Sequence, residues 1–279
     1  MDICMNSRQS EQPTGLGFTE IRFVGLRRSG THAVQNWLIS LYDGSVCYLN
    51  DVTGKRALKP DQPCDDLPTL RSPGKAARLD DVDKNLLLYA MEDRRLQFLR
   101  DYHFPYPPGC RRANRVVDVL LLRDPYNTIA SRLKIGRDRG DNGFFRDMFL
   151  RRKDGTAFFP QLWKNYAREY LGELNCLRNE KIGIRHDRWT GDAAYRDEIG
   201  RRLGVGAAAR ARAEATVGQV PGWGFGSSFD ATRYHGKAQE MDLMNRWRRY
   251  EDDAEFRELT ADAELRELAE RIFGVVIGR

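Results

Sequence analysis

The stretch Ile21-Arg-Phe-Val-Gly-Leu-Arg-Arg-Ser-Gly-Thr-His32 joins an apolar run to a short loop bearing Gly25 and Gly30, and then to an apolar stripe at helical spacing. A strand that passes through a glycine loop into a helix start presents backbone N–H groups to an anion, as phosphate-binding loops do. Gly25 and Gly30 stand at the spacing of the triphosphate loop GxxxxGK[ST], yet Thr31 occupies its lysine position and His32 the position of the hydroxyl that holds magnesium. The cations lie upstream, at Arg27 and Arg28. These residues predict an anion cradle and disfavour magnesium-ATP chemistry. The competing reading is an ordinary strand-to-helix turn, with Ser29 or Thr31 as its cap and both arginines in solvent.

A second anion grip is encoded by Leu122-Arg-Asp-Pro-Tyr-Asn-Thr-Ile-Ala-Ser-Arg132. Arg123 ends a strand, Asp124 and Pro125 shape the turn and start a helix, and Ser131 lies about two turns into it. Arg123 and Ser131 can therefore reach one anion. Ligands of open α/β sheets bind outside the carboxyl ends of the strands, which turns Arg123 and the loop after Leu26 towards one crevice. The alternative for Arg123 is an ion pair with Asp124 or a contact with a helix end.

Positioning these groups requires a buried sheet. Strand patterns rich in Val, Ile and Leu fall at Ile21 to Leu26, Leu86 to Met91, Val116 to Leu122 and Lys181 to Ile184. Helical patterns fall between and after them, at Thr31 to Leu41, Asn127 to Leu133, Phe158 to Leu177, Gln239 to Tyr250 and Ala263 to Phe273, with a short helix at Ala207 to Ala215. The alternation predicts an α/β fold: one domain over 19–279 with a central parallel β-sheet flanked by helices, preceded by a loose tail at 1–18. Asp43 to Asp83 and Gly136 to Gly155 read as irregular.

Together the two grips resemble those of the sulfotransferases that use 3'-phosphoadenosine 5'-phosphosulfate (PAPS). Arg27-Arg-Ser-Gly-Thr31 looks like their 5'-phosphosulfate loop, and Arg123-Asp-Pro-Tyr-Asn127 with Ser131 like their 3'-phosphate motif. Ile182-Gly-Ile-Arg-His-Asp-Arg-Trp189 and Arg246-Trp-Arg-Arg-Tyr250 through Phe273 are weaker echoes. The resemblance implies a P-loop nucleotide-hydrolase-like architecture and a metal-independent in-line displacement that leaves adenosine 3',5'-bisphosphate (PAP). It assigns Arg27, Arg28, Ser29, Gly30, Thr31 and His32 to the 5' side of the donor and Arg123 and Ser131 to its 3'-phosphate. Arg233 and Lys237 fall where relatives carry a basic loop over that phosphate, and His186 falls at an aromatic position near the adenine.

The family's general base is a histidine or glutamate near the end of the second strand, and Glu92 fits that position. Asp93 and His103 are the reserves, and Glu92 with Asp93 also reads as a first helical turn. Arg28 stands where cytosolic members have lysine; arginine can stabilise a leaving oxygen but does not readily give up a proton. Arginine there is frequent in members acting on carbohydrates, which leans towards a carbohydrate or glycolipid hydroxyl as acceptor, although lipids, phenols and peptide tyrosines also fit. His32 replaces a hydroxyl residue and either donates to a phosphate or caps the helix. Pro221-Gly-Trp-Gly-Phe-Gly-Ser-Ser228 suits a lid or a sugar-stacking surface.

Composition bounds the rest. The chain has 279 residues, 41% hydrophobic and 10% aromatic, enough for a sizeable core without a membrane-spanning run. Five scattered cysteines with no close pair point to reduced thiols, no metal and a cytoplasmic setting. The net charge of +6 comes with 46 basic residues, of which nine are lysine, so the cations are mostly the fork-shaped side chain that grips phosphate and sulfate. The rival readings are a P-loop kinase or nucleotide triphosphatase, and a basic nucleic-acid binder; the latter lacks any recognition-helix or zinc pattern.

Overall fold

A computed structural model describes residues 18–50, 52, 58, 77–81, 83–138, 150–151, 155–220 and 226–275. The apolar runs form five parallel strands: β1 (Thr19–Gly25), β2 (Ser45–Leu49), β3 (Lys84–Glu92), β4 (Arg115–Leu122) and β5 (Glu180–Arg185). They lie in one sheet in the order β2-β3-β1-β4-β5, every neighbouring pair parallel. The expected α/β domain with a central parallel sheet is therefore the observed one. In register, Gly25 lies opposite Glu92 and Val24 opposite Leu120, so the carboxyl ends of β1, β3 and β4 come together at one edge.

Alternation along the strands divides the core in two. Ile21, Phe23, Leu86, Leu88, Val117, Val119 and Leu121 face α1 (Thr31–Ser40), α5 (His186–Gly191), α6 (Ala193–Arg202) and α7 (Ala207–Glu214). Val24, Leu87, Tyr89, Met91, Leu120 and Leu122 face α2 (Leu96–Asp101), α3 (Pro125–Asp138), α4 (Phe159–Leu171), α8 (Ala254–Thr260) and α9 (Ala263–Phe273). The second face carries a feature that the apolar runs did not announce. Arg22 and Asp118 are register partners on β1 and β4, and Arg22 Nε and Nη2 donate to the two carboxylate oxygens at 2.7 and 2.8 Å. Both side chains are almost wholly buried. Beside them Glu20 accepts from Tyr89 at 2.8 Å and from Tyr106 at 2.5 Å, and burial raises its pKa above the ordinary carboxylate value.

Several expected boundaries moved. Strand β2 lies inside the stretch expected to be irregular; the rest of 43–83 falls mostly outside the described residues, as do most of 136–155 and residues 1–17. Phe18, the last residue assigned to the tail, is buried in the core. The Asn127 helix is longer, spanning Pro125–Asp138, and Phe158–Leu177 is shorter because Gly172 adopts φ 79° and ends α4 at Leu171. Gln239 to Tyr250 is not a helix but two 3₁₀ turns, Ala238–Glu240 and Arg246–Tyr250. Between them the carbonyls of Leu243 and Met244 accept from Arg123 and Asn127 instead of from a following helical N–H. Among the described residues no helix is long and apolar enough to cross a membrane, and Cys110 and Cys176 are free thiols.

Removing one member of a buried ion pair strands the other, so Asp118→Ala should destabilise the fold by about 3 to 5 kcal/mol in urea unfolding. The double replacement Arg22→Met with Asp118→Leu should recover most of that loss; if it is no better than the single variant, the buried charge is not the cause.

Candidate functional site

The end of β1 is shaped by conformations few residues tolerate. Gly30 sits at φ 83°, and a Cβ there would overlap the His186 ring at Nε2, so both the backbone and the packing require glycine. A Cβ at Gly25 would lie 3.0 Å from Thr31 Cγ2, which keeps the turn tight. The hydrogen bond from Ser29 N–H to Leu26 C=O, 3.1 Å, closes that turn. Helix α1 then starts with Gly30 as its N-cap residue and no side-chain cap, so neither Ser29 nor Thr31 fills the capping role that the ordinary-turn reading gave them. An uncapped first turn leaves donors for an external acceptor.

A cleft of about 220 Å³ opens at this point. Its wall takes Arg27, Arg28, Gly30, Thr31 and His32 from the loop, Glu92 from the end of β3, and Arg123 and Ser131 from the β4–α3 junction. Two expected grips, distant in sequence, thus line one cavity. His186 of α5, Ser227, Ser228 and Arg246 line it as well. Ser29 is fully buried and does not line the cleft, and Arg233 and Lys237 are exposed and do not line it either. Arg233 lies over the Tyr234 ring, and Lys237 is 3.5 Å from Glu240. His103 is an exposed residue after α2.

The β4–α3 junction is rigidly built. Asp124 Oδ1 accepts from the Asn127 N–H at 2.8 Å, capping α3 behind Pro125, while Trp163 Nε1 donates to the Arg123 carbonyl at 2.8 Å. Asp124 is thereby committed to the helix; its other oxygen lies 4.0 Å from Arg123 Nε, a distant ion pair. Arg123 instead donates Nη2 to Leu243 C=O at 2.6 Å and Nη1 to Arg28 C=O at 3.3 Å. Arg123 Nε, Ser131 Oγ and His186 Nδ1 are buried with no hydrogen-bond partner among the described residues. Unpartnered buried polar atoms are costly, and three of them around one cleft mark a candidate place for a ligand.

Arg246 is a cleft residue that the sequence did not single out. It is buried, donating to Asp230 at 2.8 Å and Ser227 at 2.9 Å, and burial together with the Arg123 guanidinium pulls its pKa down to about 10. Arg123 is likewise lowered, first by burial. Burial, Arg123 and Arg246 keep His186 neutral, well below its ordinary pKa. Two guanidiniums facing one cleft repel each other, and an anion between them would relieve that repulsion. Nothing in Arg246-Trp-Arg-Arg249 separates the first arginine from its exposed neighbours; only the break of the expected helix into 3₁₀ turns aims it inward.

On the other side, Glu92 Oε2 lies 3.5 Å from Arg27 Nε at the cleft wall. Asp93, the reserve base, is occupied by Arg27 N–H at 3.1 Å and Arg132 at 2.6 Å. Arg28 Nε donates to Ser228 Oγ at 2.8 Å and Nη2 to Gly226 C=O at 3.2 Å, fastening the loop to the segment after Phe225. The remainder of the expected lid, 221–225, lies outside the described residues.

No protein-family model matches the chain, and no curated protein matches its sequence. Among solved structures, a mouse sulfotransferase, SULT7A1, in complex with PAP is similar over 90% of this chain and 89% of its own, with 14% sequence identity and a TM-score of 0.45.

Ser131→Ala removes a buried hydroxyl that satisfies no protein partner. The thermal midpoint should therefore stay within about 2 °C of the unaltered chain, since deleting an unpaired group forfeits no internal hydrogen bond. A fall of many degrees would mean that the hydroxyl serves the fold rather than the cleft.

Proposed function

We propose that this chain is a PAPS-dependent sulfotransferase acting on a hydroxyl acceptor. The observation that carries the reading is the pairing, in one cleft, of an uncapped glycine turn with a separate buried grip of Arg123, Arg246 and an unpartnered Ser131 hydroxyl. A donor with anionic groups at both ends of a nucleoside fits two such grips; a triphosphate chain, with its charge in one place, uses only the first. Thr31 at the lysine position points the same way.

The residues divide by role. Arg123, Ser131 and Arg246 hold the 3'-phosphate, and Arg27, Arg28, the Gly30–Thr31 turn and His32 hold the 5' side. PAPS supplies an activated sulfuryl group, which passes to the acceptor oxygen as its bond to the 5'-phosphate oxygen breaks. Charge grows on that leaving oxygen, and preorganised guanidinium and N–H donors stabilise it without rearranging solvent. Among the described residues lining the cleft, Glu92 is the carboxylate, and it takes the acceptor proton as general base. Arg28 in place of lysine favours stabilisation of the leaving oxygen over proton donation to it, and leans towards a carbohydrate or glycolipid acceptor. The free thiols and absence of a spanning helix among the described residues are compatible with a cytoplasmic setting.

Thermal-shift measurement discriminates the donor classes. At about 100 times its dissociation constant a ligand stabilises by roughly 2.7 kcal/mol, so PAP should raise the midpoint by several degrees. Stabilisation by magnesium-ATP and not by PAP would sink the reading in favour of a kinase or triphosphatase. The role assignment has its own check: Arg123→Ala should abolish most of the PAP shift, whereas Glu92→Gln should bind PAP nearly normally and slow turnover. Equal loss of binding in both variants would overturn the division between grip and base.

A further inference from the structure

The backbone N–H and C=O of Arg27 are both held by side chains from elsewhere in the chain. Its N–H donates to Asp93 Oδ1 at 3.1 Å, and its carbonyl accepts from Arg132 Nε at 3.1 Å and Nη2 at 2.8 Å. Arg132 Nη2 also donates to the same Asp93 oxygen at 2.6 Å, closing a ring of three residues from the segments after β1 and β3 and from α3. The Arg132 side chain is wholly buried, with its guanidinium 4.1 Å from the centre of the Phe159 ring. The next carbonyl, that of Arg28, is bound by Arg123.

Both chain segments pinned by this ring are in unfavourable conformations. Arg28 has φ 68° and Asp93 φ 55°, the left-handed region that side-chain-bearing residues rarely enter. Such strain persists where surroundings over-determine it, and clusters at ligand sites. Here the over-determining contacts have a direct electrostatic consequence. A peptide carbonyl turned into the cleft would repel an anion; Arg132, which does not line the cleft, holds the Arg27 carbonyl, and because C=O and N–H of one trans peptide point in opposite directions this sets the direction of the Arg28 N–H as well.

We infer that Arg132 and Asp93 are positioning residues that lock the backbone of Arg27, and with it the 27–28 peptide, in an anion-accepting orientation, so that the 5' grip is set up by α3, the helix bearing Ser131 of the 3' grip. Neither side chain lines the cleft, so neither touches the guest. The inference rests on the donor reading above. It makes the two grips asymmetric: the backbone at Arg123 and the start of α3 are held by Trp163 and the Asp124 cap, bonds outside the ring, whereas the backbone of Arg27 is held within it.

Calorimetric titration with PAP and with adenosine 3'-monophosphate separates the grips. Arg132→Met should weaken PAP by about tenfold or more, the scale of a lost charge-assisted hydrogen bond, and leave the 3'-monophosphate within about threefold. Asp93→Asn, which keeps an oxygen acceptor for the Arg27 N–H, should bind PAP within about threefold, while Asp93→Ala should behave like Arg132→Met. If Arg132→Met fails to fold, Arg132→Lys serves in its place, since one ammonium cannot span the carbonyl and the carboxylate in the same geometry. Unchanged PAP affinity in a folded variant, or an equal fall for both nucleotides, overturns the inference. An unaltered chain that binds neither nucleotide overturns the donor reading and this inference with it.

Discussion

The parallel ladder of β1 with its two neighbours fixes where every functional side chain stands. Gly25 lies opposite Glu92 on one side, and Val24 lies opposite Leu120 on the other, so three strand ends deliver the glycine loop, a carboxylate and the Arg123 junction to a single edge. A slip of one residue would exchange the two faces of β1 and carry Arg22 away from Asp118. That buried pair is thus a register device as well as a charge pair: its bidentate geometry exists only in the observed alignment. Buried ion pairs are weak contributors to net stability, and their best-attested use is to select one arrangement among near alternatives.

From this edge the site gathers cations, with Arg27, Arg28, Arg123 and Arg246 all lining the cleft beside a single carboxylate, Glu92, among the described lining residues. Burial lowers the proton affinity of both Arg123 and Arg246, the Arg123 guanidinium lowers that of Arg246 further, and burial together with the two guanidiniums keeps His186 neutral. Carbonyls and one aspartate partner the two guanidiniums, while Arg123 Nε, Ser131 Oγ and His186 Nδ1 have no hydrogen-bond partner among the described residues. Natural folds satisfy most of their buried polar atoms, so concentrated exceptions are informative about function. The stability forgone in the empty cleft becomes available to an anionic guest.

The carboxyl-terminal segment completes the cavity by giving up regular structure. Leu243 and Met244 offer their carbonyls to Arg123 and Asn127, and Trp247 N–H donates to Asn127 Oδ1, so residues after Met241 are tied to the start of α3 by hydrogen bonds that a helix would have consumed internally. Arg246 reaches the cleft as a result. The same economy operates at the other wall, where Arg28 fastens itself to Gly226 and Ser228.

The sequence by itself determined the alternation of strands and helices, the place of the glycine turn and the junction at Arg123 to Ser131, because burial periodicity, left-handed turns and helix starts are local and leave local signatures. It also excluded the lysine of a triphosphatase loop, a matter of residue identity alone. Tertiary structure alone decided which of many arginines matter. Arg246 enters the cleft while Arg233 and Lys237 stay outside it, and Arg132 and Asp93 act on a peptide that lies 105 and 66 residues away in the chain. A guanidinium's role depends on what surrounds it, and neighbours brought together across such separations by strand register leave no periodicity to read. The edge strand β2 and the 3₁₀ turns went unread for the same reason: hydrogen bonds to distant partners chose those conformations over what the local pattern favoured.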